Sequence, residues 1–222
     1  MKKIVLILSM ILVLLIAVSA LADTITFSLN TPNTAISTYP SPYADVTINR
    51  TDSAHATITF SGDAYLTTNR YFLGDGSSVA LNVNATSFTA SGVIETNSFS
   101  GFTPTFKQFN YGSQNVSSFG LFNFTIDNKD GWGDSATTIA FTLTNNSGTW
   151  GSASSVLFAN AGGSTAAAHI FVPNTTPPTV DGGTIATGYA SNGAAVPEPV
   201  TMLLFGSGLI GLAGYARKRF KK

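Results

Sequence analysis

Two histidines, ten scattered acids and two tryptophans are the residues between positions 23 and 195 whose types suit chemistry. A catalytic site needs a base, a nucleophile or a metal with partners in reach. His55 lies on the polar side of an alternating run, and His169 sits in Ala166-Ala-Ala-His-Ile-Phe-Val172, where it reads as a hydrogen-bonded structural histidine. Either could serve as base to one of the many serines, but the chain has no Gly-x-Ser-x-Gly elbow. Two histidines far apart, with no third, make a poor zinc site. Glycoside hydrolysis would need two paired carboxyls, and Glu95 is the one glutamate among the ten acids. Acids and amides are densest in Asp127-Asn-Lys-Asp130-Gly-Trp-Gly-Asp134. Their oxygens around a glycine turn could ligate calcium. The spacing departs from an EF-hand loop and Lys129 opposes a dication, so the stretch reads as an acidic turn between strands. Trp132 and Trp150 flank glycines in turn regions; an exposed indole could stack on a sugar ring, whereas a buried one would close a strand end. These residues single out no catalytic residue, metal or cofactor, and the expectation is a protein that is not an enzyme.

The elements that must carry these residues are strands. Period-two alternation recurs from 23 to 190, and no stretch there has a helical period. Ala54, Ala56, Ile58 and Phe60 share one face of a run; Val79, Leu81 and Val83 share another. The same holds for Phe122, Phe124 and Ile126, and for Ile139, Phe141 and Leu143. Further strands are expected at Thr24–Leu29, Asp45–Ile48, Ser87–Ala90, Thr105–Phe109, Ser155–Phe158, Ala167–Val172 and Thr184–Tyr189. Gly, Asn, Asp and Ser separate them, as turns require. Short alternating strands of this kind predict an all-β, antiparallel β-sandwich or jelly-roll-like domain over 23–190. Residues 191–196 read as a linker. Asn84-Ala-Thr86, Asn115-Val-Ser117 and Asn145-Asn-Ser147 match a glycosylation triplet, but such triplets arise by chance in a chain this rich in Asn, Ser and Thr.

Composition narrows the function class. The 222 residues include no cysteine, which excludes disulfides, thiolate metal sites and cysteine nucleophiles. Lys plus Arg equals Asp plus Glu at 11 each, but the charges are segregated. Between 23 and 195 four bases (Arg50, Arg70, Lys107 and Lys129) face ten acids, a formal charge of −6. An acidic body without a basic patch argues against nucleic acid as a partner.

The two ends read as addresses. Lys2 and Lys3 precede an apolar run, Ile4 to Val18, that closes on Ala20-Leu21-Ala22. This is the pattern of a secretory signal peptide over 1–22, taken to the secretion translocon and cut after Ala22, with Ala20 and Ala22 as the small residues of the cleavage site. At the other end Val196-Pro197-Glu198-Pro199 precedes an uncharged apolar run, Val200 to Ala216, and then Arg217-Lys218-Arg219-Phe-Lys-Lys222. The run is near the lower length limit for a transmembrane helix, and the basic cluster places its end in the cytoplasm. Proline biases the preceding residue toward extended backbone, so Val196 and Glu198 keep the strip out of the helix. Gly206-Ser-Gly208-Leu-Ile-Gly211 matches a dinucleotide fingerprint but lacks its strand and its acid; small residues there suit helix–helix approach in a membrane instead.

Residues 197–222 resemble the PEP-CTERM sorting signal of Gram-negative bacteria, with Pro197, Glu198 and Pro199 in its signature and Arg217, Lys218 and Arg219 in its basic cluster. The resemblance implies recognition by exosortase, a membrane transpeptidase, removal of the tail, and delivery to the cell surface or extracellular matrix. The family's usual setting is exopolysaccharide production and biofilm formation, which makes exopolysaccharide the implied partner. For the body, a structural or interaction role is expected, with a carbohydrate-binding or adhesive module as the alternative and a secreted hydrolase as the third.

Overall fold

The computed structural model describes residues 22–193. In chain order the strands are Asp23–Leu29 (β1), Thr31–Pro32 (β2), Ala44–Arg50 (β3), His55–Gly62 (β4), Ala64–Tyr65 (β5), Asn69–Arg70 (β6), Phe72–Leu73 (β7), Val79–Leu81 (β8), Phe88–Thr96 (β9), Phe106–Asn115 (β10), Leu121–Asn128 (β11), Thr138–Asn145 (β12), Ala166–Pro173 (β13) and Thr184–Ser191 (β14). Among the described residues there is no α-helix, only three short 3-10 turns. No helix among them is long and apolar enough to cross a membrane.

Two antiparallel sheets account for most of the strands. One runs β1-β3-β4-β12-β9; the other runs β10-β11-β8-β13-β14-β2, with β7 also paired to β13. The long registers are β3 on β4, from Ala44 opposite Gly62 to Arg50 opposite Ala56, and β12 on β4, from Thr138 opposite Ser61 to Thr144 opposite His55. These pairings bring Ile48, Ile58 and Phe141 level across three strands. Alternation then decides which side is dry: in β12, Ile139, Phe141 and Leu143 are buried, and Ala140 and Thr142 between them are half-buried.

One hydrophobic cluster takes side chains from both sheets, including Val46, Ile58, Phe60 and Phe141 from the first and Val79, Leu81, Phe124, Ile126 and Ile170 from the second. Each such residue contributes roughly 1.5–3 kcal/mol on burial. Two smaller clusters flank it: Ala80, Val116, Phe119, Phe122 and Ala167 form one, and Phe72, Phe102 and Phe171 the other. Phe122 therefore parts from Phe124 and Ile126, which it was expected to join.

Ser155–Phe158 is not a strand. Ser152 and Ser155 form a reciprocal capping box around a 3-10 turn at Ala153–Ser155, and Val156 is in the right-handed helical region. Hydroxyl capping outcompetes extended backbone there; one bridge, Val83 with Leu157, survives. The last strand also enters the segment expected to be linker. Ser191 is fully buried, its hydroxyl donating to the Ala166 carbonyl at 2.8 Å, and the Asn192 side chain accepts from Thr165 N–H at 3.0 Å.

Gly62 ends β4 where chains converge. A β-carbon there would collide with the Tyr71 carbonyl, so Gly62→Ala is expected to cost roughly 1–3 kcal/mol by overpacking, read as a lower denaturant midpoint at unchanged slope. Phe124→Ala opens a hole among Phe88, Phe109, Tyr111 and Phe141, whose ring centres lie 5.4–5.8 Å away. It should cost about 3–5 kcal/mol in the same unfolding measurement.

Candidate functional site

Where the β8–β9 connection meets the loop after β12, the surface hollows. Two adjoining cavities of about 470 and 370 Å³ share Ala85, Thr86 and Asn123. The larger adds Asn84, Asn145, Ser147, Thr149 and Phe158 among its walls; the smaller adds Phe88 and Tyr111. No wall residue of either cavity is charged.

The walls are fixed by local chemistry. Asn123 acts as a surrogate strand partner: its side chain accepts from Val83 N–H at 2.8 Å and donates to the Val83 carbonyl at 2.9 Å. That bends the chain after Leu81, so the run expected to extend to Asn84 stops as a strand at Leu81. Trp150 lies beneath, 2% exposed, and its indole N–H donates to the Asn84 carbonyl at 2.8 Å. The Asn84 amide donates to the Ser155 carbonyl at 2.9 Å. Across the groove Thr86 donates to the Ser147 hydroxyl at 2.8 Å, and Asn145 accepts from Ser147 N–H at 3.1 Å. Two of the chain's Asn-x-Ser/Thr triplets, those at Asn84 and Asn145, thus face each other through this hydroxyl pair. The triplet at Asn115 lies elsewhere, where Ser117 accepts from the Asn33 amide at 3.2 Å.

Two aromatic rings remain open beside these polar groups: Phe158 is 44% and Tyr111 46% exposed. Tyr111 is held in place by Ala90 N–H, which donates to its hydroxyl at 3.0 Å, and by Phe88, with ring centres 5.6 Å apart. The sequence marks neither aromatic, and it marks Asn84 and Asn145 of the groove only as members of glycosylation triplets. The two triplets were the available signal, but nothing in their spacing says that they meet.

The residues that sequence did single out are dispersed. His55 is the first residue of β4, exposed beside the β3–β4 turn, with its Nδ1 2.9 Å from Asp52. Backbone N–H groups of Ala54 and His55 and the His55 ring hold the Asp52 carboxyl below its usual range. His169 stacks on Tyr189, with ring centres 4.4 Å apart and planes 12° apart, and burial depresses its proton affinity. The acidic stretch is spent on fastening loops. Asp127 accepts from Ser77 N–H at 2.7 Å, Asp75 from Gly131 N–H at 2.8 Å, and Asp134 meets Lys129 at 3.3 Å. Among the described residues no three His, Cys, Asp or Glu gather in a way that could hold a metal ion. Trp132 packs edge-on and tilted against Phe102 and Phe72, and its N–H donates to the Thr179 carbonyl at 3.0 Å.

Glu95 is the displaced acid. It lies opposite Ile139 on β9 with Oε1 buried and unpartnered. Burial pushes its carboxyl up to about 7, partly offset by the Asn128 side chain, and no second carboxylate contributes. Its proton affinity therefore comes from desolvation and not from a catalytic pair.

The sign of the pH effect follows. The folded chain holds the Glu95 proton up to about pH 7, whereas the unfolded chain releases it near 4.5. Stability from this group is full below 4.5 and is lost as pH rises through about 7. Glu95→Gln should raise the melting temperature at pH 8 and leave it nearly unchanged at pH 4, as measured by calorimetry.

Other parts of the sequence reading, Ala20, Pro197, Glu198, Pro199, the 200–216 helix, Arg217, Lys218 and Arg219, lie outside the described residues. Ala22 is described and exposed, and β1 begins at the next residue. Asp23 there meets Arg50 at 2.6 Å and accepts from Ala153 N–H at 2.7 Å.

No curated protein and no solved structure matches the chain. The family model described as the PEP-CTERM protein-sorting motif matches residues 195–219, a stretch that takes in Pro197, Glu198 and Pro199 at one end and Arg217, Lys218 and Arg219 at the other. The chain therefore carries a PEP-CTERM protein-sorting motif at residues 195–219, directly after an all-β antiparallel body.

Proposed function

We propose that this chain is an exported protein that an exosortase-type membrane enzyme sorts and trims, leaving the β body at the cell surface or in the extracellular matrix in a structural or interaction role. The observation that carries this reading is the sorting motif at 195–219. The order of parts in the sequence supports it: an apolar, small-residue leader before Asp23, then the body, then Pro197-Glu198-Pro199, an uncharged apolar run and a basic cluster. In this reading the translocon exports the body, the 200–216 run halts in the membrane with Arg217, Lys218 and Arg219 inside, and the proline strip is presented as extended backbone to the enzyme. A body whose core closes between two sheets, in the manner of a β-sandwich, needs nothing from the tail once the tail is gone. We assign the body no reaction: its histidines and acids serve hairpins, stacking and loop closure.

Mass spectrometry of the protein recovered from cells, medium and matrix tests this reading. The wild-type chain should begin at Asp23 and lack Arg217 to Lys222. Replacing Pro197, Glu198 and Pro199 with alanine should leave the basic tail attached and hold the protein in the membrane fraction. Wild-type protein that keeps its terminal lysines in the inner membrane would overturn the assignment.

A further inference from the structure

The neutral groove between Asn84, Asn123 and Thr149 has the chemistry of a glycan site, and we propose that it binds a neutral oligosaccharide or polysaccharide. This goes beyond the sorting reading and rests on different residues, so failure of either leaves the other standing. Each cavity falls within the roughly 300–1,000 Å³ of small-molecule sites, and the two adjoin at Ala85, Thr86 and Asn123, an arrangement suited to a chain of sugar rings more than to one ring.

Three features define the ligand. The walls offer amides and hydroxyls (Asn84, Thr86, Asn123, Asn145 and Thr149), which match the mixed donors and acceptors of sugar hydroxyls. Phe158 and Tyr111 leave apolar faces in water beside them; a pyranose ring covers such a face with its C–H groups while its hydroxyls turn to the amides. The walls carry no charge, and the body around them is acidic, with four bases against ten acids between 23 and 195. A phosphorylated or uronate-rich chain would find no counter-charge there and would be repelled at longer range. The trough is also preformed, since Trp150, Asn123 and the Thr86–Ser147 bond fix its walls before any ligand arrives, which lowers the ordering cost of binding.

The test uses the full chain in detergent micelles, titrated by calorimetry with neutral gluco-, manno- and galacto-oligosaccharides and, separately, with oligouronates. Binding of at least one neutral series is expected, with Phe158→Ala weakening it about tenfold, the upper end for one aromatic contact. Thr149→Lys, an exposed position that intrudes into the trough without touching the core, should abolish it. Leu66→Ala, exposed elsewhere, should leave it unchanged. No binding of any neutral series at millimolar ligand would overturn the proposal, as would binding of oligouronates alone, or binding that survives both groove variants.

Discussion

Phe124 meets Phe141 across the gap between the sheets, with ring centres 5.7 Å apart, and also Phe88 at 5.8 Å. Phe124 belongs to β11 of one sheet; Phe141 and Phe88 belong to β12 and β9 of the other. With no cysteine to bridge the layers, apolar contact of this kind is what holds them together, and it imposes the register of every long strand. A slip of one residue in β12 would turn Phe141 outward and put Ala140 or Thr142 against Phe124. The groove depends on the same contact. Phe124 packs on Tyr111, whose centre lies 5.4 Å away, so the open ring of Tyr111 rests on the core that Phe124 anchors.

Neutral side chains hold the loops around Asn160 and the groove. Asn160 accepts from Gly162 N–H at 2.9 Å and Ser164 N–H at 3.0 Å, and donates to the Phe119 carbonyl at 2.8 Å. Asn123 and Asn145 do the same for the groove. Each bond of this type contributes about 1 kcal/mol net, and it keeps its strength in salt, unlike a surface ion pair. The close ion pair of the body is Asp23 with the buried Arg50, at 2.6 Å, and it secures the start of β1.

Legibility in the sequence followed strand length and partner distance. The runs around Phe60, Ile126 and Phe141 alternate for long enough that their buried faces can be read directly. β5, β6 and β7 span two residues each, too short to show a period, so nothing local marks Phe72 and Leu73 as strand residues although both are fully buried. Ser155–Phe158 failed for a different reason: its apolar residues fit a strand, but Ser152 and Ser155 supply caps that favour a tight turn. The site was less legible still. Its walls come from segments near 84, 111, 123, 147 and 158, and their meeting depends on pairings that no local pattern encodes. Trp150, a sugar-stacking candidate by sequence, lies under the site and holds Asn84, while the open faces belong to Phe158 and Tyr111.

The order in the body runs close to the sorting strip. Ser191 is buried in the last strand, Asn192 is bonded to Thr165 and Ala166, and Gly193 N–H donates to the Ser191 hydroxyl at 3.2 Å. At Gly193 a β-carbon would press against Ser164, so the chain leaves the sheet through a tight exit. Four residue steps separate Gly193 from Pro197, and a fully extended chain covers them in about 14 Å. A membrane enzyme that grips Pro197-Glu198-Pro199 at the bilayer surface must therefore work with the folded end of β14 close by. The alternative is to act before that end folds, while Ser191 is still free of Ala166. On the sorting proposed above, either order makes the 164–166 segment and the end of β14 part of what the enzyme meets.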